Sequence, residues 1–232
     1  MEPALHQKAA MPLKCIEIET SPNPAASIIL MHGLGADGRD FVPFTEELDL
    51  ARIGGVRFVF PNAPVIPVTI NNGYQMPAWY DIMSMNLLSN EDEAGLRRSQ
   101  GAIDALIEHE KARGIAANRI ILAGFSQGCA MALMTALRHK ERLGGIVGMS
   151  GYLPLAAMTA GEVHTANAGL PIFLAHGTFD PVVSLAGGVA SRDALRALGY
   201  AVEWHEYPME HSVCAPEVAD LNKWLLQVLA AG

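Results

Sequence analysis

Short apolar runs dense in β-branched residues recur along the chain at Ser27 to Met31, Val56 to Phe60, Arg119 to Ala123, Gly145 to Met149 and Pro171 to Ala175. Such continuous apolar character predicts strands covered on both faces, as in a parallel sheet. Leu13 to Glu19 differs, because apolar and polar residues alternate there and predict a half-buried strand. Val202 to Tyr207 makes a further strand. Helical spacing occupies the intervals at Glu91 to Arg113, Gln127 to Arg138, Leu185 to Leu198 and Ala215 to Leu229. In the last of these, Val218, Leu221, Leu225, Val228 and Leu229 fall on one stripe. Strand and helix taking turns predict βαβ units: an α/β fold with a mostly parallel central sheet and helices on both faces.

The 232 residues suit one α/β domain over residues 13–232, preceded by a flexible arm over 1–12. Pro61 to Asn90 is the one long stretch without regular periodicity. It is nonetheless rich in apolar residues, including Ile66, Ile70, Trp79, Leu87 and Leu88, and so fits either a wall for an acyl chain or a homodimer surface. A net charge of −8 argues against nucleic acid, which is held by clustered Lys and Arg. The three cysteines are too few and too widely spaced for a disulfide framework or a zinc site, which leads us to expect reduced thiols in a cytoplasmic protein. No secretory leader is expected from the first residues, and no run approaches the ~18 apolar residues of a transmembrane segment.

The chemistry gathers around Gly124-Phe125-Ser126-Gln127-Gly128, which joins an apolar strand to a helix. A serine on that turn has its hydroxyl pushed out at the carboxyl edge of the sheet, and flanking glycines leave room for the neighbouring backbone. A hydroxyl nucleophile needs a base, normally His, oriented by a carboxylate, and in α/β-hydrolases these follow in the order Ser, Asp or Glu, His. Of the aspartates after Ser126, Asp193 and Asp220 fall inside helices, whereas Asp180 follows the strand ending near Ala175. Of the histidines after Asp180, His205 lies within a strand and His211 in the loop beyond it. Ser126, Asp180 and His211 are therefore the expected nucleophile, orienting acid and base. Ser150 also follows a strand, but its second glycine is misplaced for such a turn.

The loop Gly33-Leu34-Gly35-Ala36-Asp37-Gly38 satisfies G-x-G-x-x-G, which raises dinucleotide binding as a rival reading. The ribose-binding acid expected about 20 residues later is missing, since no Asp or Glu occurs between Asp49 and Asp81. An oxyanion hole is the better use of the loop, with the backbone N–H groups of Leu34 and Gln127 as donors.

Taken together, His32 to Gly35, Ala78 to Asp81, Glu91 to Gly95, Gly124 to Gly128, His176-Gly177 with Asp180 to Val183, and His211 to Val213 resemble the carboxylesterase and acyl-protein thioesterase family of α/β-hydrolases. The resemblance runs from about Ile28 to the end. It implies hydrolysis of short-to-medium acyl esters, with thioesters or lysophospholipids as alternatives, and no metal or cofactor. It carries the triad onto Ser126, Asp180 and His211 and the oxyanion donors onto Leu34 and Gln127, and it puts Trp79 beside the acyl site.

Overall fold

The computed structural model describes residues 13–84, 87 and 89–230. The arm expected over 1–12 and the pocket residue expected at Leu88 lie outside the described residues. In chain order the strands are β1 (Cys15–Glu19), β2 (Ala26–Met31), β3 (Val56–Pro61), β4 (Val65–Val68), β5 (Tyr74–Pro77), β6 (Ile120–Phe125), β7 (Gly145–Met149), β8 (Ile172–Gly177) and β9 (Val202–Tyr207). The α-helices are α1 (Phe44–Glu47), α2 (Glu93–Ala112), α3 (Gln127–Arg138), α4 (Ala156–Glu162), α5 (Leu185–Ala197) and α6 (Ala215–Ala230).

Seven strands form one sheet in the order β1-β3-β2-β6-β7-β8-β9. Only β1 is antiparallel, pairing with β3, and every other pairing in the sheet is parallel. The alternation along β2 shows how the sheet divides the core. Ile29 and Met31 pack with Leu96, Ile103 and Ile107 of α2 and with the buried length of α3. Ile28 and Leu30 point the other way, into a cluster with Phe41, Phe44 and the α6 residues Leu221, Trp224 and Leu225. The period of two thus feeds helices on both faces, and the topology is that of an α/β-hydrolase fold.

Helix α3 is buried from Gln127 to Leu137, which a helix apolar on all sides requires. Small residues let it approach the sheet. A Cβ at Gly128 would stand 2.0 Å from Met31 O, and one at Gly124 would stand 2.1 Å from Gly128 C.

The stretch expected to be irregular contains an antiparallel hairpin, β4 with β5. Pro64, Pro67 and Pro77 mask its strand pattern, while the turn signal is present in Asn72-Gly73, both at positive φ (55° and 76°). Among the described residues no helix is long and apolar enough to cross a membrane.

Candidate active site

Ser126 stands between the end of β6 and the start of α3 with φ 57° and ψ −117°, a left-handed backbone that side chains rarely adopt. The turn is pinned on both sides: Ser126 N–H donates to Met149 O at 2.9 Å, and Ser126 O accepts from Ala130 N–H at 3.2 Å. Gly33 of the glycine loop lies close above, where an added Cβ would come within 3.3 Å of Ser126 Cβ. Crowding at these three glycines explains why the serine is presented by backbone alone.

Asp180 follows β8 and its side chain is fully buried. Its Oδ1 accepts from the N–H groups of Val182 (2.8 Å) and Val183 (2.9 Å), and its Oδ2 faces His211 Nδ1 at 2.7 Å. Because an ionised carboxylate only accepts, the hydrogen of the His211 ring sits on Nδ1 and Nε2 keeps its lone pair. The ring rests against Phe125, with centroids 4.7 Å apart. The loop that carries His211 presses on the end of β8, where a Cβ at Gly177 would meet Met209 O and Glu210 O at 2.4 Å. A second histidine, His176, sits beneath the acid: it is buried, and its Nε2 donates to Val183 O at 2.8 Å.

On the other side of Ser126, Gln127 is the first residue of α3, so its N–H has no partner within the helix. Leu34 N–H likewise donates to no other backbone group among the described residues. The glycine loop that carries Leu34 is braced by buried His32, whose Nδ1 donates to Gly33 O at 2.7 Å while Nε2 accepts from Ala63 N–H at 3.0 Å. Burial lowers the His32 pKa and keeps the ring neutral, as this bonding requires.

Trp79 is placed differently from the expectation. It is buried behind the glycine loop, its indole N–H donating to His32 O at 2.8 Å and its ring tilted against His32, and it lines neither cavity at Ser126. That inward position gives the buried indole nitrogen its hydrogen-bond partner. Leu87 does line one of the cavities.

Two cavities meet at the serine. One, of about 550 Å³, is an open cleft bounded by Asp40, Phe41, Phe44, Ser126, Val182 and His211 among others. The other, of about 220 Å³, is bounded mainly by aliphatic and aromatic side chains, with Ser126 and Gln127 at its mouth.

The remaining candidates are engaged elsewhere. Asp193 pairs with Arg192, Asp220 accepts from Tyr207 and Lys223, and His205 contacts Glu203. Ser150 is wholly buried. Glu108, His139 and Glu141 bring ligand atoms within 4.8 Å of one another, but the Lys111 ammonium already sits against both carboxylates.

The sequence pattern did not reveal the side-chain role of Gln127. Its Oε1 accepts from Trp79 N–H (3.0 Å) and its Nε2 donates to Tyr80 O (2.9 Å), tying the 79–80 segment to the serine turn. An amide at a position where the turn pattern asks only for any residue was the available signal.

This sheet, with a serine on its sharp turn and a His–Asp pair at the same edge, defines an enzyme of the serine-hydrolase class on the α/β-hydrolase fold. The phospholipase/carboxylesterase family profile matches residues 13–229. The chain belongs to that family. It is 40% identical over 219 residues to acyl-protein thioesterase 1 of Yarrowia lipolytica, covering 92% of this chain and 96% of the relative. Against acyl-protein thioesterase 1 of Neurospora crassa it is 41% identical over 213 residues, covering 88% and 87%. A crystal structure of Zea mays acyl-protein thioesterase 2 superposes with a TM-score of 0.83 at 27% identity, over 94% of this chain and 99% of that one.

Proposed function

We propose that the protein is a cytoplasmic serine carboxylesterase that hydrolyses short-to-medium acyl esters through an acyl-enzyme on Ser126. The observation that carries this reading is the 2.7 Å contact between Asp180 and His211 Nδ1, with His211 and Ser126 on one cleft. Ser126 Oγ attacks the ester carbonyl carbon as His211 Nε2 takes its proton. The N–H groups of Leu34 and Gln127 receive the developing oxyanion. His211 then gives the proton to the departing oxygen, and water repeats the sequence on the acyl-enzyme. No step calls for a metal or cofactor.

A thioester would pass through the same steps with sulfur leaving. Two observations favour acyl-protein thioesterase activity as the second reading: the relatives bear that name, and the 550 Å³ cleft on the His211 side is roomy enough for a large leaving group.

A fluorophosphonate probe tests the common chemistry. We expect it to label the wild type and to leave Ser126→Ala unlabelled, and persistent label in that variant would overturn the proposal. Hydrolysis rates for an octanoyl ester and the matching octanoyl thioester then separate the two readings.

A further inference from the structure

The two N–H groups proposed to receive the oxyanion come from different parts of the chain. Leu34 follows β2 and Gln127 follows β6, and these strands are parallel neighbours in which Met31 pairs with Gly124. The sheet therefore brings both loops to one edge. It does not fix the gap between them, because Leu34 stands between Gly33 and Gly35, residues that impose little conformational preference of their own. Shared stabilisation of one oxygen needs both donors within about 2.7–3.1 Å of it, so the gap matters to a few tenths of an ångström.

The segment from Pro77 to Tyr80 spans that gap. Toward the glycine loop it makes two hydrogen bonds: Pro77 O accepts from Gly35 N–H at 2.8 Å, and the Trp79 indole N–H donates to His32 O at 2.8 Å. Toward the serine turn it makes two more: Trp79 N–H donates to Gln127 Oε1 at 3.0 Å, and Tyr80 O accepts from Gln127 Nε2 at 2.9 Å. Gln127 thus offers its own N–H toward the reacting carbonyl while its side chain holds the segment that holds the other donor. The bonds close a ring that runs from Gln127 through Trp79 and His32 to Leu34 and returns across the paired strands.

The bridging segment is itself fixed. Ala78, Trp79 and Tyr80 are buried, Ala78 N–H donates to Pro64 O at 3.0 Å, and Ser99 Oγ donates to Trp79 O. Gln127 is buried as well, and its partners admit one orientation of the amide, since Trp79 N–H only donates and Tyr80 O only accepts. A glutamate carboxylate of the same size would satisfy the first and set a lone pair against the second. That requirement gives a physical reason for an amide at a position where the turn itself asks for none.

We infer that the Gln127 side chain and the Trp79 indole are positioning residues that set the distance between the Leu34 and Gln127 N–H groups, and with it how well both reach one oxyanion. This inference rests on the serine esterase reading above, because an oxyanion forms only if Ser126 attacks a carbonyl.

Two near-isosteric substitutions test it. Trp79→Phe keeps an aromatic ring and removes the indole N–H, and Gln127→Glu keeps the acceptor for Trp79 N–H and removes the donor to Tyr80 O. Rates with p-nitrophenyl butyrate are expressed per active site from the p-nitrophenol burst, so that a poorly folding fraction does not count. Each variant should lower kcat by about 10–100-fold, less than the 10²–10³ that a donor removed outright is worth. KM should stay within about twofold, as for an interaction made only in the transition state. The double variant should lose no more than the worse single one, because both substitutions break the same ring. Butylboronic acid supplies a readout apart from turnover: Ser126 Oγ forms a bond to boron, its proton passes to His211, and the tetrahedral adduct presents an oxygen to the two donors. Its Ki should rise by the factor by which kcat/KM falls. Values of kcat within twofold of the wild type in both variants, a loss carried by KM, or an unchanged boronic acid Ki would overturn the positioning role while leaving the serine esterase reading intact. A wild type that shows no burst and hydrolyses no ester would overturn that reading and this inference with it.

Discussion

The two cavities at Ser126 are built from the same sheet edge and share the serine, Leu34 and Val182, yet they are bounded in different ways. The larger is an open cleft on the His211 side, edged by Asp40, Ser212 and His211 as well as by apolar rings. The smaller is bounded by the hydrogen-bonded pair Tyr80 and Tyr152 and by aliphatic side chains. The difference teaches that the serine sits at a boundary between a cleft that carries the His211 ring and polar side chains and a cavity walled mainly by apolar ones. On the proposed mechanism, selectivity for the leaving group and selectivity for the acyl chain fall to separate residues, and substitutions should move one without the other.

The largest expected effect removes what the two sides share. Ser126→Ala should lower kcat by about 10⁶-fold, the scale that loss of the nucleophile has in a serine protease, with a residue of activity from the remaining site. Burst kinetics with a p-nitrophenyl ester would show it, since no acyl-enzyme accumulates in the variant.

Asp180→Asn acts on the His211 side alone. The amide can still accept from Val182 and Val183 through its oxygen, but it no longer enforces hydrogen on His211 Nδ1. A fall of about 10⁴ in kcat is expected by analogy with the protease triad. The ratio of kcat/KM between octanoyl and dodecanoyl p-nitrophenyl esters should stay at its wild-type value, and a changed ratio would mean that the two sides are not separate.

Glu217, near the start of α6 and shortly after the His211 loop, is fully buried, and its carboxyl oxygens make no hydrogen bond of good geometry. Burial pushes its pKa up to about 8, with the Cys214 amide opposing only in part. The folded state therefore holds a proton that the unfolded chain releases at an ordinary carboxyl pKa. Its stabilising contribution is full below that ordinary value and is lost as pH rises through about 8. Melting temperatures at pH 5 and pH 9 should show a drop for the wild type that is smaller by about 4 °C or more in Glu217→Gln, each kcal/mol being worth about 2–4 °C at this size. Equal drops in the two proteins would contradict the burial argument.

The smallest effect belongs to the mouth of the larger cavity. Asp40→Asn removes a negative charge there and should change KM by about 2–5-fold between cationic and anionic leaving groups, in opposite directions, because an exposed charge pair is worth about 0.2–1 kcal/mol. The preference should fade at high salt. A shift in acyl-length selectivity would place Asp40 on the wrong side of the serine.

Much of this was legible in the sequence because it depends on neighbours in the chain. The strands show as apolar runs, α3 and α6 as periodic stretches, and the crowding at Gly124 and Gly128 follows from a strand turning at once into a helix. Ser126, Asp180 and His211 could be chosen because each follows a parallel strand and therefore emerges at the same edge. The hairpin of β4 and β5 was hidden by prolines, and Trp79 was misplaced because a motif does not say which way its indole points.

What the sequence by itself determined is the order and type of most elements and which serine, aspartate and histidine reach one edge of the sheet, since period and chain order are local properties. Only the tertiary structure decided how the space around the serine is shared. The Tyr80–Tyr152 pair spans 72 residues and the Gln127 clamp on Trp79 spans 48. Contacts of that range depend on how α3 and the loop after β7 pack against residues 79 and 80, and no periodicity in the chain records that distance.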